Sequence, residues 1–107
     1  MAKIEWTDDA KLTFKTYVKI SQLEFGTSTA RKWQTERNTI EWRLKRYPVS
    51  YPLEELLQGK RLPYRLCHMM QRRFKLIYYY NEAEDTVHIV DIWDTRMNPK
   101  ALIRRIK

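Results

Sequence analysis

Apolar and aromatic residues recur at three- and four-residue intervals at Ala10, Phe14, Tyr17, Val18 and Ser21, which predicts a helix with one buried stripe. Thr7 followed by Asp8 and Asp9 supplies a cap and carboxylates at the positive end of the helix dipole, and Gly26 marks its close. The helix should run about four turns. Before it, Ala2 to Trp6 with Ile4 and Trp6 reads as a short strand. After it, Ser28 is placed to cap a second helix. Its stripe of Ala30, Trp33, Arg37, Ile40, Leu44 and Tyr47 ends where Pro48 forbids continuation. Arg37 sits within that stripe, so its stem should lie along apolar neighbours while the guanidinium reaches solvent or a carboxylate.

The pattern then changes. Tyr47 to Pro63 holds three of the four prolines and reads as a packed connector, with one or two helical turns in Pro52 to Gly59 and apolar anchors at Leu53, Leu56 and Leu57. From Tyr64 onward, aromatic and β-branched residues predict an antiparallel meander of Tyr64 to Met69, Arg73 to Tyr80 and Thr86 to Asp94, with turns at Met70 to Arg72 and Asn81 to Asp85. Asn98 and Pro99 open a final short helix carrying Leu102, Ile103 and Ile106. The order is β-α-α-β-β-β-α in a single domain over residues 1–107, an α+β fold with a two-helix hairpin on a twisted antiparallel sheet.

Strict alternation along the second strand of the meander assigns Phe74, Leu76, Tyr78 and Tyr80 to the helix-facing side and Arg73, Lys75, Ile77 and Tyr79 to the open side. In the third strand, Asp91 breaks an otherwise even choice. Val90 and Ile92 are expected toward the helices, and Ile89, Asp91 and Trp93 on the open side beside Lys75 and Tyr79.

Charge sharpens the picture. Twenty-one Lys and Arg oppose thirteen Asp and Glu for a net +8, which suits a polyanionic or acidic partner. Lys60, Arg61, Arg65, Arg72, Arg73 and Lys75 occur without an intervening acid between Leu56 and Asn81, and Arg96, Lys100, Arg104, Arg105 and Lys107 form a second acid-free block. Both blocks are expected to border one surface. A lone Cys67 excludes an internal disulfide. The longest uninterrupted apolar or aromatic run, Leu76 to Tyr80, is too short for a bilayer, and no signal-peptide core precedes the first helix. A cytoplasmic protein without membrane association is expected.

The two strands from Phe74 to Asp94, the Asp94-Thr95-Arg96 corner and the run Ile-Trp-Asp-Thr-Arg-Met-Asn-Pro at residues 92–99 resemble the RelE/ParE superfamily of bacterial toxins, the last most like its plasmid-stabilisation branch. The likeness extends over nearly the whole chain. It implies a toxin of a type II toxin-antitoxin module, held inactive in a hetero-oligomer by an acidic cognate antitoxin. Its target would be the translating ribosome with its mRNA, or DNA gyrase. In ribosome-dependent members, the arginine matched by Arg96 stabilises the scissile phosphate, and Lys75 takes the place of the arginine in the strand Phe74-Lys75-Leu76-Ile77-Tyr78. An enzyme of this kind would be a metal-independent endoribonuclease in which Lys75 and Arg96 converge on the uncovered side of the sheet, with His68 as a candidate for proton transfer.

Arg65, Arg72, Arg73, Tyr79, Trp93, Arg104 and Arg105 are the expected binding residues for nucleic acid or another target. The preceding strand lacks the two lysines of the ribonuclease members, and the tail after Arg96 has neither Tyr nor His. These missing groups tip the reading toward a non-ribonuclease or an impaired one. The helical hairpin and Pro-rich connector resemble the gyrase-directed side, while Arg96, Lys75 and the net +8 suit the ribosome-directed side, so both targets stay open. A small basic RNA-binding or ribosome-associated module without toxicity is the alternative. No cofactor or metal is expected, because two histidines and one cysteine lack ligand spacing and two glycines cannot build a phosphate loop.

Overall fold

The computed structural model describes residues 1–107 and contains four strands and three helices. Strand β1 spans Lys3–Trp6, and helices α1 (Asp8–Phe25) and α2 (Thr27–Arg46) form the hairpin. A single 3-10 turn at Glu55–Leu57 interrupts the connector. Strands β2 (Arg65–Met69), β3 (Phe74–Asn81) and β4 (Thr86–Asp94) form the meander, and α3 covers Pro99–Arg105.

Local chemistry explains most boundaries. The Thr7 hydroxyl accepts the Ala10 amide and opens α1, which runs 18 residues, about five turns. Gly26, at φ 94°, ends α1 and begins α2 at once, so α2 starts at Thr27 without a side-chain cap, contrary to the expected Ser28 start. The Asn98 side chain accepts the Lys100 amide and opens α3. Arg37 behaves as its position in the stripe predicts: its guanidinium lies 4.3 Å from the Trp6 ring centroid, and its Nε is 3.8 Å from Glu41.

The sheet is mixed rather than wholly antiparallel. Its order is β1-β4-β3-β2, and β1 runs parallel to β4 with Ile4 beside Val87. Ending at Trp6 and turning directly into α1 leaves β1 no hairpin through which to pair antiparallel.

A bulge in β4 decides which side chains reach which face. Tyr78 pairs with Ile89 but Ile77 pairs with Asp91, so Val90 is an extra residue and the alternation reverses across it. Val87 and Ile89 therefore share the helix-facing core with Ile92, among Phe14, Trp33, Leu44, Phe74, Leu76 and Tyr78. The expectation that Val90 faces the helices and Ile89 the open side fails for this reason. Val90 instead packs at the edge of a second core on the other face.

That other face is covered. Leu57 of the connector and Leu102 and Ile106 of the C-terminal segment close over Ile77, Trp93 and Tyr64. The sheet thus has apolar layers on both sides, and about 1.5 to 3 kcal/mol per fully buried large side chain favours each.

Candidate functional site

Lys75 and Arg96 lie on opposite sides of the sheet. Lys75 is flanked by His68 on β2 and Trp93 on β4, which places it on the face covered by α3. Arg96 follows Asp94, whose partner Phe74 belongs to the helix-facing core. The expected convergence of these two cations is absent, because Asp94 pairs with Phe74 on the helix-facing side and carries the corner with it, whereas Lys75 pairs with Trp93 on the other.

Each cation is also engaged. The Lys75 ammonium donates to Glu54 Oε2 at 2.6 Å, and the Glu54 side chain is only 4 % exposed. Arg96 donates from Nε and Nη2 to the two oxygens of Asp94 at 3.2 and 3.0 Å, and its amide caps the same carboxylate at 2.9 Å. These bonds from Arg96 hold the Asp94 carboxyl below its usual range, against the opposing effect of burial. Arg96 itself remains largely exposed and lines a cleft of about 320 Å³ with Tyr17, Glu24, Lys32 and Arg73. Burial, then the Asp94 charge, pushes the Tyr17 hydroxyl upward, so it keeps its proton at neutral pH and is a poor base.

His68 occupies a different and larger cleft, of about 760 Å³, between α2, the connector and β2. Its neighbours there include Glu36, Tyr51, Glu54 and Arg72. Desolvation and then the Arg72 and Lys75 charges lower its pKa, which keeps the imidazole neutral. A neutral imidazole can accept a proton, but this one stands beside Lys75 on the face opposite Arg96. His68 and Arg96 are not brought to one point.

The remaining expected contacts divide into structural and free groups. Trp93 is 2 % exposed inside the second core and cannot stack on a base. Tyr79 is half-buried between Tyr64, edge-on at 5.7 Å, and His88, stacked at 4.8 Å. Arg65 donates to the Tyr51 carbonyl at 2.7 Å and ties β2 to the connector. Arg105 donates to Asp91 at 2.7 Å beneath the Trp93 ring and anchors α3. Arg72, Arg73 and Arg104 remain exposed and form no salt bridge to a carboxylate.

The two acid-free blocks do meet. Leu57, Leu62 and Tyr64 pack with Leu102 and Ile106, so Lys60 and Arg61 of the connector border the same surface as Lys100, Arg104 and Lys107. This basic face borders a buried apolar cluster and carries no carboxylate from either block. It can neutralise phosphates or hold an acidic surface, but it presents no acid-base pair. Sequence reasoning missed Glu54 as the partner of Lys75 and Asp91 as that of Arg105. No three His, Cys, Asp or Glu side chains are grouped as metal ligands, and no helix is long and apolar enough to cross a membrane.

No protein-family model and no curated protein matches the sequence. Solved structures do. The chromosomal ParDE TA system from P. aeruginosa aligns with a TM-score of 0.66 at 14% identity, over 88% of this chain and 96% of that one. The E. coli RelBE toxin-antitoxin complex aligns at 0.58 and 10% identity, over 89% and 98%. A metal-bound toxin from Helicobacter pylori aligns at 0.57 and 19% identity, over 90% and 97%. With the β-α-α-β-β-β-α order and the sheet order β1-β4-β3-β2, these likenesses establish that the chain has the RelE/ParE fold.

Proposed function

We propose that this protein is the toxin of a type II toxin-antitoxin pair and that it acts by binding its target through the basic face, without cleaving RNA. One observation carries the non-catalytic half of this reading: the cation that takes the place of the strand arginine, Lys75, is neutralised at 2.6 Å by a buried Glu54, on the side of the sheet away from Arg96. Ribonucleolytic transfer to a 2'-hydroxyl needs a base, an acid and cations around one phosphate. Here those groups are dispersed. Of the two targets that the family resemblance offers, DNA gyrase is the one that the resemblance ties to action by binding without catalysis, and the dispersed groups favour it here.

The test uses the purified protein in two assays. Incubation with gyrase and supercoiled DNA is expected to trap cleaved gyrase-DNA complexes, while programmed ribosomes yield no A-site mRNA cuts. Ribosome-dependent cuts abolished by Arg96→Ala would overturn the reading. Induction in a bacterial host is expected to arrest growth, and an acidic protein encoded next to the gene to relieve it. Absence of arrest would favour the non-toxic basic module.

A further inference from the structure

Helix α1 shows solvent a face that its own fold does not use. Leu12 is 65% exposed, Ile20 45% and Leu23 80%, and Thr16 lies between them at helical spacing. Each of the first three positions in this stripe directly follows a lysine: Lys11 before Leu12, Lys15 before Thr16, Lys19 before Ile20. Four-residue spacing aligns Lys11, Lys15 and Lys19 in a row along one flank of the stripe. All three are exposed, none pairs with a carboxylate, and no acid occurs between Asp9 and Glu24. The buried stripe of Ala10, Phe14 and Tyr17 already packs α1 on the sheet, so neither the outer leucines nor the lysine row serves the core.

We infer that the outer face of α1 docks an acidic amphipathic helix from a partner protein, with the partner's apolar residues on Leu12, Ile20 and Leu23 and its carboxylates along Lys11, Lys15 and Lys19. Charge complementarity selects this occupant and this place. The larger cleft beside β2 offers one exposed cation, Arg72, against Glu36 and Glu55, its third carboxylate Glu54 being paired with Lys75, so it holds no row of cations for an acidic helix. The outward amides of Leu66 and Met70 at that edge are already bonded to Pro52 and Glu36. The face bordered by Lys60 and Arg104 offers cations beside an apolar floor already buried by Leu57 and Leu102, which suits a polyanion better than a helix. The partner's role as antitoxin rests on the proposed toxin reading; its chemistry does not. Peptide binding without growth arrest would sink only the toxin reading, and arrest without peptide binding only this one.

A designed 21-residue peptide with leucines at three- and four-residue spacing and glutamates on one flank serves as probe, and a scrambled peptide of the same composition as control. Titration into the full chain is expected to shift backbone NMR signals of residues 11–24, with affinity at least tenfold tighter than that of the scrambled control. Leu12→Glu with Leu23→Glu should abolish binding. Lys11→Glu, Lys15→Glu and Lys19→Glu together should weaken it at least tenfold and remove its salt dependence, all variants keeping the wild-type circular dichroism spectrum and Tm. Shifts centred on β2 or α3, unchanged affinity after charge reversal, a Leu23-dependent dimer of the free protein in sedimentation, or binding to anionic phosphatidylglycerol vesicles in place of the peptide would each overturn the inference.

Discussion

Glu54 and Lys75 form a buried ion pair at 2.6 Å that joins the connector to the middle of the sheet. Glu54 Oε1 also accepts the Leu56 amide, so one carboxylate opens the 3-10 turn and neutralises a strand cation. Removing one member of such a pair leaves the other as an uncompensated buried charge. Glu54→Ala or Lys75→Ala should each destabilise the fold by about 3 kcal/mol. Glu54→Ala combined with Lys75→Ala should cost clearly less than the sum of the two. Urea denaturation of the four proteins gives the coupling, and strict additivity would show that the pair is not formed.

Asp91 predicts an unusual pH response. It is 2 % exposed, Arg105 serves only its Oδ1, and its Oδ2 has no partner. Burial raises its carboxyl from 3.8 to about 6, although Arg105 pulls the other way. The folded state therefore binds this proton more tightly than the unfolded chain, so stability contributed by Asp91 rises as pH falls through the window from about 6 to 4, by about 3 kcal/mol in all. Asp94 has the opposite sign, since its folded pKa is depressed, but its contribution is lost only below that window. Asp91→Asn removes the titration. Its stability relative to wild type should be highest at pH 7, and the difference should shrink by pH 4.5 in urea titrations. A constant difference would exclude the buried charge as its cause.

The basic face should govern affinity for polyanions. Replacing Lys60, Arg61 and Arg104 by Ala is expected to weaken binding to duplex DNA at least tenfold at 0.1 M salt and to reduce the slope of log affinity against log salt by about 2 to 3. Lys3→Ala, far along the sheet on β1, should leave both unchanged. Fluorescence anisotropy over a salt series distinguishes the outcomes; equal losses in both variants would mean that net charge alone is at work.

Three consecutive residues, Met70, Gln71 and Arg72, adopt left-handed backbone angles with φ of 52°, 57° and 69°. The turn is held from outside. Glu36 accepts the Met70 amide at 2.8 Å, and the Thr95 hydroxyl lies 3.0 and 2.9 Å from the Arg72 and Arg73 carbonyls. Side chains pay a steric penalty in this region that glycine escapes. Gln71→Gly should stabilise the protein by about 1 kcal/mol, read as a higher urea midpoint at unchanged slope. Loss of stability would mean that the glutamine side chain supports the turn.

Much of this architecture is legible along the chain. The periodic stripes of α1 and α2, the caps at Thr7 and Asn98 and the span Thr86 to Asp94 follow from local chemistry that one sequence displays. The site is less legible. Alternation assigns Lys75 correctly to the face away from the helices, but it assumes an unbroken strand and so misplaces Ile89 and Val90. Nothing local announces that the connector folds back to bring Glu54 against Lys75, or that α3 buries Trp93, because those contacts depend on tertiary packing of distant segments. Composition found the basic blocks; only packing shows which cations are already spent on carboxylates.

The extra residue in β4 matters for engineering. Excising Val90 would restore continuous pairing but turn the whole segment from Asp91 to Asp94 inside out, driving Asp91 and Trp93 into the aromatic layer and expelling Ile92. A point substitution at this position is mild by comparison, whereas a one-codon deletion rewires the far end of the molecule.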